Sequence, residues 1–333
     1  MIKTGIIGGH TMAAGELIRI LVNHPDVTIA WVSSPLEAGR KLTAVHRGLE
    51  GDTDASFVGH PSISDIDGLD AVFLCGEPWE ARKFMEQAGE RADLRVIDLT
   101  GAFRAEGEAM VYGLAEHNRK ALVRGATRAS LPSEVAMAAE LALFPLAKNM
   151  MLAGDVRVSA SLASTVREQG AAAAADGDLA ELSTRRDPVA PVENRPDAEL
   201  AAAEIAQAMR SVQPSFSGAT PVSLSRDGSA ARGIRVTATL DCNQPLSELN
   251  RVFEEAYCDH GFTFLIDRRP ELSDAANTNK CLIHIRRDDS GMVEITSVID
   301  NLLKGAAGNA VHCMNLLFGL SEKTGLALKG SAF

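Results

Sequence analysis

The sequence lacks the features of a membrane protein, a secreted protein or a nucleic-acid-binding protein. None of its apolar runs approaches the roughly 20 residues that span a bilayer, and no basic stretch followed by an apolar core opens it as a secretory signal would. Basic residues are also scarce: 33 lysines and arginines stand against 44 aspartates and glutamates, a net charge of −11. Nucleic acid requires a positive surface. We therefore expect a cytoplasmic protein that binds neither membranes nor nucleic acid.

Cysteine spacing excludes two further classes of protein. The five cysteines are odd in number and form no CxxC pair or zinc-type spacing. They are Cys75, Cys242, Cys258, Cys281 and Cys313. Cys258 is followed two positions later by His260, a separation that does not place them on one helix face. We expect free thiols in a reducing compartment and no metal site.

The first part of the chain alternates apolar strand-like runs with helical segments. A chain of 333 residues is long for one core and suggests two domains. Strands are predicted over 2–8, 27–34, 70–76 and 94–101, with helical patterns between them. Such alternation predicts an α/β fold with a Rossmann-type, doubly wound parallel sheet.

The second part of the chain has a different pattern. Strands are predicted over 155–162 and 233–240, an amphipathic helix over 245–257, and a hairpin over 280–299. This pattern predicts a second, α+β domain. A final helical stripe should pack on the first domain; it contains Ala310, Val311, Met314, Leu317 and Phe318. The predicted domains are therefore residues 1–132 together with about 300–333, and residues 133–299.

One segment, residues 171–209, is rich in alanine and charge and contains no aromatic residue. Such a composition buries little apolar surface. We predict helix and loop in this segment, without a substrate pocket.

A glycine-rich turn follows the first predicted strand in "GIIGGHTMAAGEL", residues 5–17. A strand, glycines and a helix in that order suit a phosphate at a helix N-terminus. The spacing is not GxGxxG, and Thr11 stands where close approach to phosphate favours glycine. We expect no acidic residue at the end of the second strand to hold a ribose 2′-hydroxyl. The nearby Ser33, Ser34, Arg40 and Lys41 suit a 2′-phosphate, which favours NADP over NAD.

A second candidate site lies in "RASLPSEVAMAAELALFPL", residues 128–146. A helix is predicted to begin at about Ser133, which places Glu134 in its first turn. Backbone N–H groups and the helix dipole stabilise an anion there, so this position suits a nucleophile. Glutamate is a poor nucleophile for most acyl chemistry.

Over nearly its whole length the chain resembles the N-acetyl-γ-glutamyl-phosphate reductases. The matching segments include "GELIRILVNHPDV", "VIDLTGAFR", "VYGLAEHNR", "NTNKCLIHI" and "SVIDNLLKGAAGNAVHCMNLLFGL". The resemblance implies a semialdehyde-dehydrogenase-like fold, homo-oligomers and NADP as cofactor. It also implies reduction of an acyl phosphate through a cysteine thioester, with a histidine handling the proton. The cofactor-binding positions it implies are Gly8, Thr11, Met12, Ala13, Ser33, Ser34, Arg40 and Asn301.

The chain departs from the family's pattern at the groups that react. Glu134 occupies the position of the family's cysteine, and no histidine occurs between residues 118 and 259, where the family carries H-x-H-x-P-E. Ala102 replaces an aspartate, and Pro78–Trp79 replaces a His-Gly pair. Thr11 and Met12 replace glycine and tyrosine. Core segments match while reacting groups are lost together, so we predict that the family's reaction is abandoned and that NADP binds weakly or not at all.

Three functions remain open at this point, besides that of an ordinary reductase that uses other reacting groups. The first is a silent homologue with an assembly or regulatory role, as a homo-oligomer or together with an active homologue. The second is an oxidoreductase with altered chemistry, in which Glu134 serves as an acid or a base. The third is a small-molecule-binding module. The sequence also leaves open whether an active relative's substrate carries an acetyl or a succinyl group.

Overall fold

The computed structural model describes residues 1–89, 91, 93–104, 110–166 and 195–330 and divides into two compact units. Unit 1 comprises Met1–Pro132 and Ala306–Leu328, and unit 2 comprises Ser133–Gly305 and Lys329–Phe333. Residues 171–194 of the alanine-rich segment lie outside the described residues. The rest of that segment is helical, as predicted.

Unit 1 is built on a six-stranded sheet in the order β2-β1-β3-β4-β6-β5. Its strands are β1 (Ile2–Ile7), β2 (Val27–Ser33), β3 (Ala71–Leu74), β4 (Arg95–Asp98), β5 (Val111–Tyr112) and β6 (Arg128–Ser130). All the pairings in this sheet are parallel. The strand order reverses between β1 and β3, and ligands of doubly wound sheets bind outside the carboxyl ends of strands at such a point. The predicted Rossmann-type fold is confirmed.

Unit 2 contains a second six-stranded sheet, in the order β10-β11-β12-β9-β7-β8. Its strands are β7 (Val156–Ala163), β8 (Val222–Asp227), β9 (Ile234–Leu240), β10 (Thr263–Leu265), β11 (Cys281–Arg287) and β12 (Val293–Ile299). The sheet is mixed, because β8 and β10 join its edges in parallel while the central strands are antiparallel. The predicted hairpin is confirmed, with Cys281 paired to Ile299.

The described helices cover these sheets. In chain order they are α1 (Met12–Leu21), α2 (Leu42–Val45), α3 (Ile63–Ile66), α4 (Pro78–Ala88), α5 (Ala115–Val123), α6 (Glu134–Lys148), α7 (Arg195–Val212), α8 (Leu246–Tyr257), α9 (Leu272–Ala275) and α10 (Gly308–Leu317). Within the described ranges, none has the length and hydropathy that a membrane crossing requires.

Each unit has one helix that lies in its core. In unit 2, α6 is buried from Val135 to Ala147, and the hydroxyl of Tyr257 in α8 donates to the Leu141 carbonyl at 2.6 Å. In unit 1, every residue of α10 is buried. The Asn309 amide donates to the Gly113 carbonyl at 2.6 Å. The end of the chain therefore completes the core of unit 1.

A buried histidine joins the beginning of unit 1 to its end. His24 is 4% exposed. Its Nδ1 accepts from the Asp26 N–H at 3.2 Å, so the ring proton lies on Nε2, which faces Asn315 Oδ1 at 3.2 Å. Burial lowers the pKa of His24, and the bond to Asn315 opposes this effect less strongly. In the folded protein, the imidazole of His24 is therefore neutral at neutral pH.

We expect this histidine to make the protein less stable in mild acid. The pKa of His24 is lower in the folded state than in the unfolded chain, so the unfolded state binds the proton first as the pH falls below about 6.5. The loss for this group approaches about 1.4 kcal/mol per pH unit until the folded-state pKa is reached. Urea unfolding at pH 7.5 and 5.5 should show a smaller decrease for His24→Gln than for wild type. The matched control, His60→Gln, replaces an exposed histidine of unit 1 and should leave the decrease unchanged; an unchanged decrease in His24→Gln would contradict the assignment.

Candidate functional site

The glycine turn after β1 touches the loop after β3. Gly8 has a φ of 73°, and a Cβ added to it would lie 2.2 Å from the Cα and the N of Gly76. The two loops are therefore packed backbone to backbone at the point where the strand order reverses. Glycine is required at position 8 because any side chain would separate these loops.

Thr11 serves the fold at this turn. Its hydroxyl accepts from the Ala14 N–H at 3.2 Å, which makes it the N-cap of α1, and donates to the Cys75 carbonyl at 3.1 Å. The first-turn N–H groups of Met12 and Ala13 have no acceptor among the described residues. Such groups, at the positive end of a helix, suit a phosphate. The role of Gly8, Thr11, Met12 and Ala13 toward a cofactor stays a prediction.

Sequence reasoning missed a histidine that supports the glycine turn. His46 donates from Nε2 to the Gly9 carbonyl at 2.6 Å, and its ring fills the space where a side chain at position 15 would stand. Burial lowers the pKa of His46. The bond to the Gly9 carbonyl opposes this effect, His10 adds to it, and Glu16 and Glu37 oppose it more weakly than Gly9 does. The one sequence signal for this contact is Gly15, because the His46 ring leaves no room for a side chain at that position.

The two serines predicted to bind a 2′-phosphate have partners within unit 1. The Ser33 hydroxyl donates to the Gly59 carbonyl, and Ser34 Oγ lies 3.1 Å from His10 Nδ1. Both serines are buried, with exposures of 2% and 0%. They therefore hold together the loops that follow β1 and β2.

The two basic residues predicted at the same position are paired with carboxylates. Arg40 forms an ion pair with Glu37, and Lys41 Nζ lies 3.1 Å from Asp54 Oδ1. The expectation that no acidic residue stands near the end of β2 is therefore corrected. Glu37 lies four residues beyond the strand, at the end of the 3₁₀ turn Pro35–Glu37, and is the partner of Arg40.

Two residues of unit 1 that depart from the family's pattern, Trp79 and Ala102, follow the carboxyl ends of its strands. Trp79 is in the first turn of α4 and is 61% exposed. Ala102 is 5% exposed and follows β4. The turn that contains Ala102 is held by Asp98, whose fully buried carboxylate accepts from the Thr100 N–H at 2.8 Å and from the Ser130 hydroxyl at 2.7 Å.

In unit 2, the start of α6 holds a carboxylate from a distant helix. Ser133 is the N-cap and Glu134 the first helical residue, which confirms the predicted helix start. The N–H and the hydroxyl of Ser133 donate to the two oxygens of Glu204, at 3.0 and 2.6 Å. Glu204 belongs to α7, within the alanine-rich segment, so the positive end of α6 already has an anion beside it.

The Glu134 side chain is half-buried and packs on a glycine. A Cβ at Gly305 would lie 3.1 Å from Cγ of Glu134. The backbone at 305 is held in turn by Asp300, whose carbonyl accepts from the Gly305 N–H at 2.9 Å. The turn after β12 therefore positions Gly305, against which the Glu134 side chain packs.

That turn is organised by two buried polar side chains. Asp300 is fully buried and accepts from Arg232 Nε and Nη2, both at 2.9 Å. Asn301, also fully buried, accepts from the Gly233 N–H at 2.8 Å and contacts Thr165 at 3.3 Å. The Asn301 amide thus joins loops of unit 2, and its predicted contact with a cofactor stays a prediction.

No cysteine of the chain lies at the start of α6. Four of the five thiols are buried, and only Cys258 is exposed. Burial, and to a smaller extent the charge of Asp98, raises the pKa of the Cys75 thiol far above its usual range. Such a thiol is inert. Within the part of the chain that the structure describes, no three histidine, cysteine or acidic side chains are grouped to hold a metal ion.

Two protein-family models match the chain and together cover most of it. Residues 3–124 match the NAD binding domain of semialdehyde dehydrogenase, and residues 135–301 match the dimerisation domain of semialdehyde dehydrogenase. Solved structures with a similar fold include aspartate semialdehyde dehydrogenase II from Vibrio cholerae (TM-score 0.71, 15% identity, 96% of this chain and 98% of that chain). Aspartate semialdehyde dehydrogenase from Candida albicans has a TM-score of 0.69 at 14% identity, with 96% and 98% coverage. At such identities the likeness establishes the fold alone.

Relatives of known name match the chain from end to end. N-acetyl-gamma-glutamyl-phosphate reductase from Parabacteroides distasonis is 42% identical over 335 residues, with all of both chains covered. The reductases of the same name from Phocaeicola vulgatus and Flavobacterium johnsoniae are 39% and 34% identical, again over the full length of both chains. With its two semialdehyde dehydrogenase domains and this full-length similarity, the chain belongs to the N-acetyl-gamma-glutamyl-phosphate reductase family.

Proposed function

We propose that this chain is a catalytically silent member of its family, which keeps the fold and has lost the reduction of N-acyl-γ-glutamyl phosphate. One observation carries the proposal: Glu134 stands at the start of α6, where the family resemblance places the nucleophilic cysteine, and Glu204 is bound beside it through Ser133.

The chemistry at this helix start supports the proposal. A thiolate gives a thioester that hydride can reduce, whereas attack by a carboxylate would give an anhydride that water destroys. The substrate itself is an anion. The partial positive charge of about half a unit at a helix N-terminus would attract it, but the carboxylate of Glu204 already offsets that charge.

The proton-handling group is also missing at the place that the resemblance implies. The residues from 118 to 259 contain no histidine. Of the two histidines of unit 2, His284 lies in β11 with Nδ1 at 3.1 Å from the Ile266 carbonyl. His260 follows α8, with its ring 6.0 Å from that of Tyr257. Both lie outside the segment in which the resemblance places the family's histidine.

Residues 1–132 with about 300–333 are proposed as the nucleotide-binding domain, and residues 133–299 as the dimerisation domain. The family-model matches support a nucleotide cofactor at the level of the family. We propose that NADP itself binds weakly or not at all, because the groups expected to meet its 2′-phosphate have internal partners. The proposed role is assembly or regulation in the cytoplasm, as a homo-oligomer or in a hetero-oligomer with an active homologue.

An assay of both directions of the reaction tests the proposal. We expect no oxidation of NADPH or NADH in the presence of N-acetyl-γ-glutamyl phosphate or N-succinyl-γ-glutamyl phosphate. In the reverse direction we expect no reduction of NADP or NAD with the semialdehyde and phosphate. The Parabacteroides distasonis relative, assayed in the same mixtures, is the positive control. Turnover by this chain within tenfold of that control would refute the proposal.

A further inference from the structure

Each group at the end of β2 that could meet a 2′-phosphate has a partner within unit 1. Ser33 and Ser34 use their hydroxyls to join neighbouring loops, and both are buried. Arg40 and Lys41 are each paired with a carboxylate. The two ion pairs make this part of the surface neutral, whereas a phosphate dianion is usually held by an arginine that is free to form two hydrogen bonds with it.

Glu37 is placed close to the glycine turn. Its N–H donates to the Ser34 carbonyl at 3.1 Å, and its carbonyl accepts from the Arg40 N–H at 3.0 Å, so the 3₁₀ turn fixes its backbone. The Glu37 side chain is 21% exposed. The start of this 3₁₀ turn contacts the glycine turn directly, because the Gly9 N–H donates to the Ser33 carbonyl at 2.8 Å and Ser34 Oγ lies 3.1 Å from His10 Nδ1. A ligand at the glycine turn would therefore have this carboxylate nearby.

The ion pair with Arg40 does not remove the effect of Glu37 on a ligand. Surface pairs of this kind contribute at most about 1 kcal/mol, so Arg40 could leave its partner at little cost. Glu37 would then remain as an uncompensated negative charge. A 2′-phosphate bound to Arg40 would therefore be repelled by the Glu37 carboxylate.

A ribose without the phosphate has the complementary chemistry. A vicinal diol offers hydroxyl donors, and an ionised carboxylate is an acceptor only. Hydrogen bonds to a charged acceptor are stronger than neutral ones. An acidic side chain after the second strand is also how doubly wound folds hold the ribose of NAD.

We propose that Glu37 is the residue that determines cofactor specificity in unit 1, and that this unit binds NAD(H) in preference to NADP(H). The first-turn N–H groups of Met12 and Ala13 would meet the pyrophosphate, and Glu37 would accept from the adenosine ribose. The preference is a property of the nucleotide site and holds whether or not the chain catalyses a reaction.

Calorimetric titration of the full chain tests the proposal. We expect NAD to bind at least about tenfold more tightly than NADP, and ADP more tightly than adenosine 2′,5′-bisphosphate. In Glu37→Gln the preference should fall to about threefold or less, with weaker NAD binding and stronger NADP binding. The matched control is Glu248→Gln, which removes the same charge from an arginine partner at the same spacing in unit 2, and it should keep the wild-type preference.

Three outcomes would overturn the proposal. They are tighter binding of NADP than of NAD by wild type, an unchanged preference in Glu37→Gln when its circular dichroism is that of wild type, and no binding of NAD at millimolar concentration. None of them bears on whether the chain is silent, because turnover is measured separately. Conversely, turnover with NADH would refute the silent role and leave the nucleotide preference standing.

Discussion

Replacing Asp300 by alanine is expected to lower the free energy of unfolding by about 3–5 kcal/mol. The fully buried carboxylate accepts five hydrogen bonds, two from Arg232 and one each from the N–H groups of Asn277, Leu302 and Leu303. The substitution leaves the Arg232 guanidinium, 17% exposed, without its carboxylate, and removes the acceptor of three N–H groups. Urea unfolding followed by circular dichroism measures the change.

The control for this experiment is a pair with similar geometry at the surface. Arg268 and Asp274 also share two contacts, at 2.7 and 2.8 Å, but the arginine side chain is 61% exposed. Asp274→Ala should cost only about 1 kcal/mol, in part through loss of a helix cap. If Asp300→Ala fails to fold, Asp300→Asn supplies the measurement. A cost below about 1 kcal/mol for either Asp300 variant would show that the network contributes little.

The Glu134→Cys variant is expected to remain inactive, with turnover at least about 10³-fold below that of the Parabacteroides distasonis relative. Groups that act as a unit are not rescued one at a time, because each contributes only when its partners are in place. The new thiol would gain a helix N-terminus, which favours the thiolate. It would also lie next to Glu204, whose charge opposes ionisation. The histidine would still be missing.

Two measurements separate the reasons for inactivity. Oxidation of NADPH and NADH reports turnover, and mass spectrometry after mixing with the acyl phosphate reports an acyl-enzyme. The Glu134→Cys variant and its control both carry Cys258→Ser, because Cys258 is the exposed thiol among the five and could itself be acylated. Glu134→Ser, which lacks the thiol, is the matched control. Turnover by Glu134→Cys would mean that the site has survived and that the remaining losses matter less than we infer.

Much of the fold could be predicted from apolar periodicity. The strands β7 and β9 were predicted within one residue of their observed bounds because their buried and exposed side chains alternate. Strand β8 was missed. Its residues, "VSLSRD", are half-buried or exposed, and it lies at the edge of its sheet beside β7 alone, so little apolar signal marks it. Strand β5 contains two residues, too few for any period.

The candidate site was predictable only where it depends on local sequence. The start of α6 follows from Pro132 and Ser133, and the structure places it there. Glu204 could not be predicted, because it meets Ser133 from 71 residues away along the chain. Strand periodicity does not indicate a role for Glu37, because this residue lies four positions beyond β2 and its backbone is fixed by the 3₁₀ turn Pro35–Glu37. Contacts of this kind depend on tertiary packing or on a turn, neither of which has a periodic signature.

The position of α10 has a consequence for the order in which the protein can form during synthesis. Unit 2 is nearly continuous in sequence, whereas unit 1 needs residues 306–328 from the end of the chain. The hydrogen bond between His24 and Asn315 cannot form until Asn315 is synthesised, 291 residues later. At roughly 5–20 residues per second, that interval is about 15–60 s. The half of the protein that leaves the ribosome first is therefore the half whose core is finished last.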